Sequence, residues 1–577
     1  MCGIVTIVGP QTDPVVLEGM NRCLTHRGPD HRDERVISSG LGMGHTRLKI
    51  LDLSDDANQP ISSPDGRYTM IYNGEVYNYL ELKQQMPEYP FCTQSDSEVV
   101  LAAYMKWGKD ALNAFNGMFA LVIWDREEGT LFAARDRFGV KPLYYTSYDN
   151  RLWMASEIKA LFAAGIPRRE SEEAWAEYLA FGTYPDPEKT FWDGIYPLAG
   201  GHYLEWKKGR ISSGKWYDFV GAVESKDRDE WTEGEWINRY REVLEDAVQL
   251  RFRSDVPVGV NLSGGLDSGI LLGIITHQNR DAQGLEAFTF TSGDERYDEL
   301  PWVRQMIEQT GCHLNVKELQ VEDVPELAMR IQLAQDEPYG GFPTLAYSRL
   351  FEAARTKGTN VILDGQGLDE QWAGYSYYRH IDASKFHIGP VQGSKTSPVR
   401  PNCLVKEFMN LAKPRVFPRP FGDLLRDLQY RDIFHTKIPR ALRFNDRISM
   451  MHSVELREPM LDYRMVELAV SAPPMLKIRG EEQKWLLRRI GEQIIPKGVA
   501  LAPKRPVQTP QREWIKGALR PWAQQMIHIA LDQYGSRWLD ASKVIEEWEK
   551  YKEGSVDNSF FVWQWINMGL WAKAYNS

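Results

Sequence analysis

Two stretches of this chain carry residue types that could do chemistry. Cys2 follows Met1 directly. Trimming of the methionine would leave a thiol beside its own α-amine, whose pKa near 8 suits a base acting on its own side chain. The bland alternative is a small buried residue that starts a strand. The second stretch, residues 256–268, reads Val-Pro-Val-Gly-Val-Asn-Leu-Ser-Gly-Gly-Leu-Asp-Ser. Its β-branched run through Leu262 predicts a buried strand, and Gly269-Ile-Leu-Leu-Gly-Ile-Ile predicts a helix. Ser263, Gly264 and Gly265 form the turn between them. A glycine turn opening a helix is an anion site, because free backbone N–H groups and the helix dipole face the ligand. Asp267 could hold a Mg²⁺ that bridges phosphates. The loop lacks the Gly-Lys-Ser/Thr ending of the Walker phosphate loop, which argues against a kinase or ordinary ATPase.

The elements that must position these residues fall in two blocks. The chain has 577 residues, 43% hydrophobic and 26% charged, so two or more folded domains are expected. A net charge of −10 argues against a general nucleic-acid binder. No apolar run is long enough to span a bilayer, and no basic region precedes the first short apolar run. Five cysteines without paired spacing suit a reducing compartment, and a cytoplasmic location is expected. Residues 5–8, 70–72, 119–124 and 131–134 predict strands. Residues 207–233 are poor in apolar residues and predict a linker. An amphipathic helix over residues 238–251 then leads into strands alternating with helices, at residues 287–291, 302–311, 313–319 and 360–363. That alternation predicts a parallel, doubly wound sheet whose ligands bind at the carboxyl ends of the strands.

Further motifs precede the linker. They are His26-Arg27-Gly28-Pro29-Asp30, the run from Gly44 to Asp52, Tyr72-Asn73-Gly74-Glu75, Ser95-Asp96-Ser97-Glu98, Phe115-Asn116-Gly117-Met118, and Arg135-Asp136-Arg137-Phe138-Gly139. In this order they resemble the class II glutamine amidotransferase domain of the N-terminal-nucleophile hydrolases, from Cys2 to about Trp206. The resemblance implies an αββα sandwich with Cys2 as nucleophile. It implies Asn73 and Gly74 as donors to the oxyanion, a role that an amide and a glycine N–H suit. Arg47 suits the α-carboxylate of glutamine, the segment Arg47, Leu48, Lys49, Ile50 and Leu51 would line the pocket, and Glu75 and Asp96 suit the α-ammonium. Arg135, Asp136 and Arg137 are expected to form a structural network.

The loop Ser263-Gly264-Gly265-x-Asp267-Ser268 resembles that of the ATP-pyrophosphatases. Asp336-Glu337-Pro338, residues 364–370, Asn445-Asp446-Arg447, residues 455–462 and residues 483–488 extend the likeness to the glutamine-hydrolysing asparagine synthetase family over nearly the whole chain. That implies an acyl-adenylate made from ATP and a carboxylate. Leu262, Phe290, Asp364 and Gly365 would line the ATP site with the loop, Asp267 and Asp369 would hold Mg²⁺, and Lys484 would meet the departing pyrophosphate. Ammonia would cross between the domains through an apolar passage. The family's Ser-Gly-Glu-Gly is Asp364-Gly365-Gln366-Gly367 here. Gln366 cannot be a general base but could orient the acyl group, and Asp364 would repel aspartate unless neutralised.

The expected partners are glutamine, ATP and a carboxylate acceptor, with no nucleic acid or membrane, in an assembly that could be a homodimer. Aspartate is the first acceptor expected; a sugar uronate, a peptide or a natural-product acid is the alternative. A glutaminase with a regulatory nucleotide-binding domain is a third possibility. Residues 380–440, rich in Pro, Lys, Arg and His, could be a lid or an acceptor-binding segment. The tryptophans from Trp514 to Trp571 are expected to pack helices.

Overall fold

The computed structural model describes residues 2–225, 231–278, 284–380, 397–505, 509–556 and 558–575. The chain opens with the strand Cys2–Val8, paired antiparallel with Leu41–Arg47 and Arg151–Ala155. It lies inside a six-stranded sheet, and a second six-stranded sheet faces it. Side chains alternate across a strand. Ile4 and Val8 therefore meet Ile71, Val122 and Met154 between the sheets, while Val5 and Ile7 meet Leu17 and Met20 of the helix Pro14–Arg22 outside. On the other outer face, Met70 and Tyr72 lie under Val99 and Val100 of the helix Asp96–Trp107. The result is an αββα sandwich, and burial on both faces is why the first strand is almost continuously apolar.

The expected linker is not one along its first half. Residues 207–215 close a hairpin in which His202–Lys207 pairs with Arg210–Lys215 at the sheet edge. Lys208 and Gly209 both take positive φ, the geometry of a two-residue hairpin turn. The helix Phe219–Glu224 follows, with Phe219 and Val223 buried. The edge strand is largely exposed, so its polar composition hid it.

The second half of the chain is built on a five-stranded sheet, parallel throughout. Its order is His313–Glu318, Glu286–Thr291, Val258–Asn261, Val361–Leu363, Glu455–Arg457. The chain winds outward from the central Val258–Asn261, then returns to that strand's other side. The loops at 262–268 and 364–367 therefore open into one crevice at the switch point. The fifth strand is missing from the expected set, because Glu-Leu-Arg does not read as apolar; all three residues are nevertheless buried.

The halves meet over two apolar clusters and a seam of buried charge. Trp192 stacks on Trp571 at 4.2 Å, and Trp175 meets Trp538 at 5.9 Å. The C-terminal tryptophans thus pack helices, as expected, some of them against the first domain. Leu48, Ile50 and Phe138 share a second cluster with Ile433, Leu461 and Val466. In the seam, both terminal nitrogens of Arg27 grip the Asp446 carboxylate at 2.8 and 3.1 Å. Asn116 donates to Asp462, and Tyr217 donates to Glu467. Of residues 380–440, 381–396 lie outside the described residues. Residues 424–440 contribute to the helices Leu424–Phe434 and Lys437–Met450. Among the described residues, no helix is long and apolar enough to cross a membrane.

Removing one partner of a buried ion pair leaves the other charge without compensation. Asp446→Ala should therefore cost roughly 3 kcal/mol, read as an earlier urea unfolding transition. An unchanged transition would show that Glu157 alone satisfies Arg27.

Candidate active sites

Cys2 is buried beside its antiparallel partner Arg47. Its backbone N–H donates to the Asn73 side-chain oxygen at 3.0 Å, and its carbonyl accepts from Arg27 Nε at 3.0 Å. The first contact sets the Asn73 amide, so that its Nδ2 is buried with no hydrogen-bond partner among the described residues. An orphaned buried donor beside a nucleophile is what oxyanion stabilisation requires. Gly74 follows Asn73 on the same strand, and a Cβ there would lie 2.2 Å from the Met118 carbonyl. Burial pushes the Cys2 thiol up, with the Leu48 N–H and Arg47 pulling the other way.

Arg47 uses one terminal nitrogen on the Ser54 carbonyl and the Asn58 side chain, at 2.7 and 2.8 Å, and the other on the Leu51 and Asp52 carbonyls. The guanidinium holds the loop that follows it, and a carboxylate would have to take over some of those donors. Leu48, Ile50 and Leu51 are buried, while Lys49 turns outward to Asp55. Asp96 accepts from the Tyr72 hydroxyl and the Val76 N–H, each at 2.8 Å. Burial lifts its carboxyl to about 6 despite those bonds. Burial and Asp96 also raise Glu75 well above the usual carboxylate range. Arg135 and Arg137 donate to backbone carbonyls, and Asp136 accepts backbone N–H groups, a structural network as expected.

In the second site, Ser268 Oγ accepts from the Ser263 N–H at 3.1 Å and donates to the Ser263 carbonyl at 3.0 Å. The two serines thus close the glycine loop on itself. The Gly264 N–H points at Glu299 Oε2, 3.3 Å away, a contact that a phosphate oxygen could take. Lys484 Nζ lies 2.6–2.7 Å from both oxygens of Asp267 and 2.6 Å from Asp369 Oδ1. Lys504 reaches the same Asp369 oxygen at 2.6 Å. Burial would raise Asp369, but the two lysines hold it far below the usual carboxylate range. Lys484 sits at φ 55°, an unusual conformation for a non-glycine residue that serves as N-cap of the helix Trp485–Ile494. A Cβ at Gly374 would fall 2.0 Å from Asp369 Oδ1 and 2.2 Å from Lys484 Cε, so the cluster needs glycine there. Two carboxylates converging on one cation are a donor set that fits Mg²⁺ between phosphate oxygens.

Leu262 is buried and Phe290 half-buried, both at the ends of central strands. Asp364 accepts from Tyr347 at 2.7 Å and from Asn261 at 3.0 Å, and a Cβ at Gly365 would touch the backbone of Asp267 and Ser268. Burial raises the Asp364 carboxyl, while the N–H groups of Gly365 and Gln366 help hold its charge. Gln366 is half-buried.

The ground between the domains carries buried charge beside the apolar cluster of Leu48, Ile50 and Leu461. It holds the buried Arg27, Lys141, Glu157, Asp446, Glu455 and Arg457. Lys141 donates to the Leu456 carbonyl at 3.3 Å, and Arg457 lies 2.6 Å from Glu455 and 3.6 Å from Glu75. Motifs expected only in the synthetase site thus reach the glutaminase site as well. Sequence reasoning also missed Glu299, Lys504 and Arg505, whose Nη2 bonds the Gly264 carbonyl at 2.9 Å. A Lys-Arg pair far along the chain gave no spacing signal. A separate cavity of about 190 Å³ is lined by Arg135, Arg415, Lys437, Arg440 and Arg443 among others.

Comparison with known proteins places both sites in context. A family model described as a glutamine amidotransferase domain matches residues 1–217, and one described as asparagine synthase matches residues 239–573. The glutamine-hydrolysing asparagine synthetase 1 of Bacillus subtilis is 27% identical, over 99% of this chain and 96% of its own. A putative asparagine synthetase 2 of Methanocaldococcus jannaschii is 34% identical, over 65% of this chain and 76% of its own. Amidase chry2 of Gibberella zeae is 28% identical, over 91% and 92%.

Asn73→Ala should lower kcat for glutamine hydrolysis by about 10²-fold with KM little changed, the cost of one oxyanion donor; a KM effect alone would place Asn73 in ground-state binding. Asp96 is ionised only above about 6. KM for glutamine should therefore rise as pH falls through that value, and Asp96→Asn should flatten the dependence.

Proposed function

The chain belongs to the asparagine synthase family, as an ATP-dependent ligase with a glutamine amidotransferase domain, and on that premise we propose that it converts a carboxylate to its amide, with aspartate as acceptor. The observation that carries the reading is the convergence of Asp267, Asp369, Lys484 and Lys504 beside the 263–268 loop. Such a cluster suits the α,β-phosphates of ATP. Asp267 and Asp369 would hold Mg²⁺, which would supply positive charge where the pyrophosphate leaves. Lys484, gripped by both carboxylates, would follow that charge as it develops.

In the other site, the Cys2 thiol attacks the glutamine side-chain amide, with the α-amine as base once Met1 is removed. Asn73 Nδ2 and the Gly74 N–H receive the oxyanion. Glu75 and Asp96 hold the substrate's ammonium, and Arg47 exchanges loop carbonyls for its carboxylate. Collapse of the oxyanion intermediate breaks the amide C–N bond and expels ammonia, leaving a thioester on Cys2 that water cleaves to glutamate; the ammonia attacks the acyl-adenylate, giving the amide and AMP.

A second reading keeps this chemistry and changes the acceptor. It is favoured by Gln366, which cannot take a proton, by the acidic Asp364, and by the likeness to a fungal amidase. The test is pyrophosphate release with ATP, Mg²⁺ and glutamine, with and without aspartate. Aspartate-dependent release with asparagine formed supports the first reading. Release only with another carboxylate supports the second, and none with any acceptor would sink both. Lys484→Met should lower pyrophosphate release by at least 10²-fold, and normal release from this variant would remove Lys484 from the chemistry.

A further inference from the structure

Glu458 is only 4% exposed, and neither of its carboxylate oxygens has a hydrogen-bond partner among the described residues. A buried carboxylate left bare is costly and calls for an explanation. Its position offers one. The residue before it, Arg457, accepts the Asp364 N–H on its carbonyl at 3.0 Å, so Glu458 adjoins the adenylate crevice. Lys141 reaches in from the amidotransferase domain, bonded to the Leu456 carbonyl. Glu455, three residues back on the same segment, pairs with the Arg457 guanidinium, which also faces Glu75 in the glutaminase site. Glu458 therefore lies on a segment that touches both sites.

Its surroundings define the charge it lacks. Asp364 is occupied by Tyr347 and Asn261, and Lys141 supplies one positive charge. Two acids, Asp364 and Glu458, thus share the neighbourhood of Lys141, whose own charge burial disfavours. Burial, and then the Asp364 charge, push the Glu458 carboxyl well above the usual range, with Lys141 opposing.

Resting on the relay proposed above, we propose that Glu458 is the binding site for a small monovalent cation, the ammonium ion, between the two active centres. Arriving ammonia takes the proton of the Glu458 carboxyl group and is held as ammonium against the carboxylate. Return of that proton to Glu458 restores the free lone pair before any C–N bond forms, so no proton is gained or lost over the cycle. A closed site needs such a station because nitrogen that escaped to bulk water would be protonated and lost.

Thallium(I), a heavy monovalent cation of similar size, is the probe. Crystals grown with thallium(I) acetate should show an anomalous peak within contact distance of the Glu458 carboxylate. Ammonium acetate, and not sodium acetate, should lower its occupancy at least tenfold, and Glu458→Gln should abolish it. Thallium bound elsewhere with none at Glu458, or a peak that survives ammonium in the unaltered protein, would overturn the assignment. The competition needs no variant, so a misfolded Glu458→Gln protein leaves the test intact. An occupied site without pyrophosphate release would sink the relay alone, whereas release with an empty site would sink this inference alone.

Discussion

Buried charge shared between the two domains is the constraint on which the rest of the structure depends. Arg27 is fully buried in the amidotransferase domain, where Glu157 takes one terminal nitrogen at 2.7 Å, while Asp446 of the synthetase domain grips both. Withdrawing either ion from water without the other costs several kcal/mol. Docking is therefore part of folding, and its register is set by atoms that also belong to a site. The Nε of the same Arg27 holds the Cys2 carbonyl. Cys2, the proposed nucleophile, is thus positioned through a side chain held by carboxylates of both domains.

The strand Glu455–Arg457 extends that logic to the far site. Arg457 fixes Glu455 with Nε and binds the Arg251 and Arg253 carbonyls with Nη1. Its own carbonyl bonds the Asp364 N–H. One three-residue strand, buried throughout, touches the acidic corner of the glutaminase site and the crevice of the phosphate site. On the proposed relay, an ammonia passage can therefore run beside charge as well as apolar side chains. The aim is to keep the nitrogen's lone pair free of bulk water, and low water access achieves that whether the lining is apolar or charged, provided the charges are paired or can trade a proton.

The sequence was most informative where local chemistry and local geometry coincide. A β-branched run, two glycines and a helix-forming run identify the 256–275 region without tertiary help. Cys2, Asn73, Gly74 and Asp96 stood out through motif order, and the fold brings Cys2 and Asn73 within one hydrogen bond. What was not legible depends on contacts far apart in the chain. Glu-Leu-Arg reads as surface until Arg251, Glu75 and Asp364 are placed around it, and Arg210–Lys215 reads as linker because an exposed edge strand needs few apolar residues. Lys504 and Glu299 matter only because the fold carries them to Asp369 and Gly264. For Arg47 the residue type suggested a ligand contact, while four oxygens of the following loop already occupy its terminal nitrogens.

The altered residues of the synthetase crevice bear on the acceptor in opposite ways. Asp364 is a carboxylate where the family has a serine, yet Tyr347, Asn261 and two backbone N–H groups converge on it. Hydrogen bonds of this kind spread its charge without a counter-ion, so its repulsion of an acidic acceptor is weaker than the residue type suggests. Gln366 is the more consequential change, because no arrangement of neighbours gives an amide the proton affinity of a carboxylate. Proton transfer during amide formation must then fall to another group. Of the carboxylates bordering the crevice, Asp364 is held by donors on several sides and Asp369 by two lysines, whereas neither oxygen of Glu458 has a hydrogen-bond partner among the described residues. The loss of a base at one position and a bare acid just past the neighbouring strand are thus compatible with one rearrangement, in which, on the proposal above, proton handling moves toward Glu458.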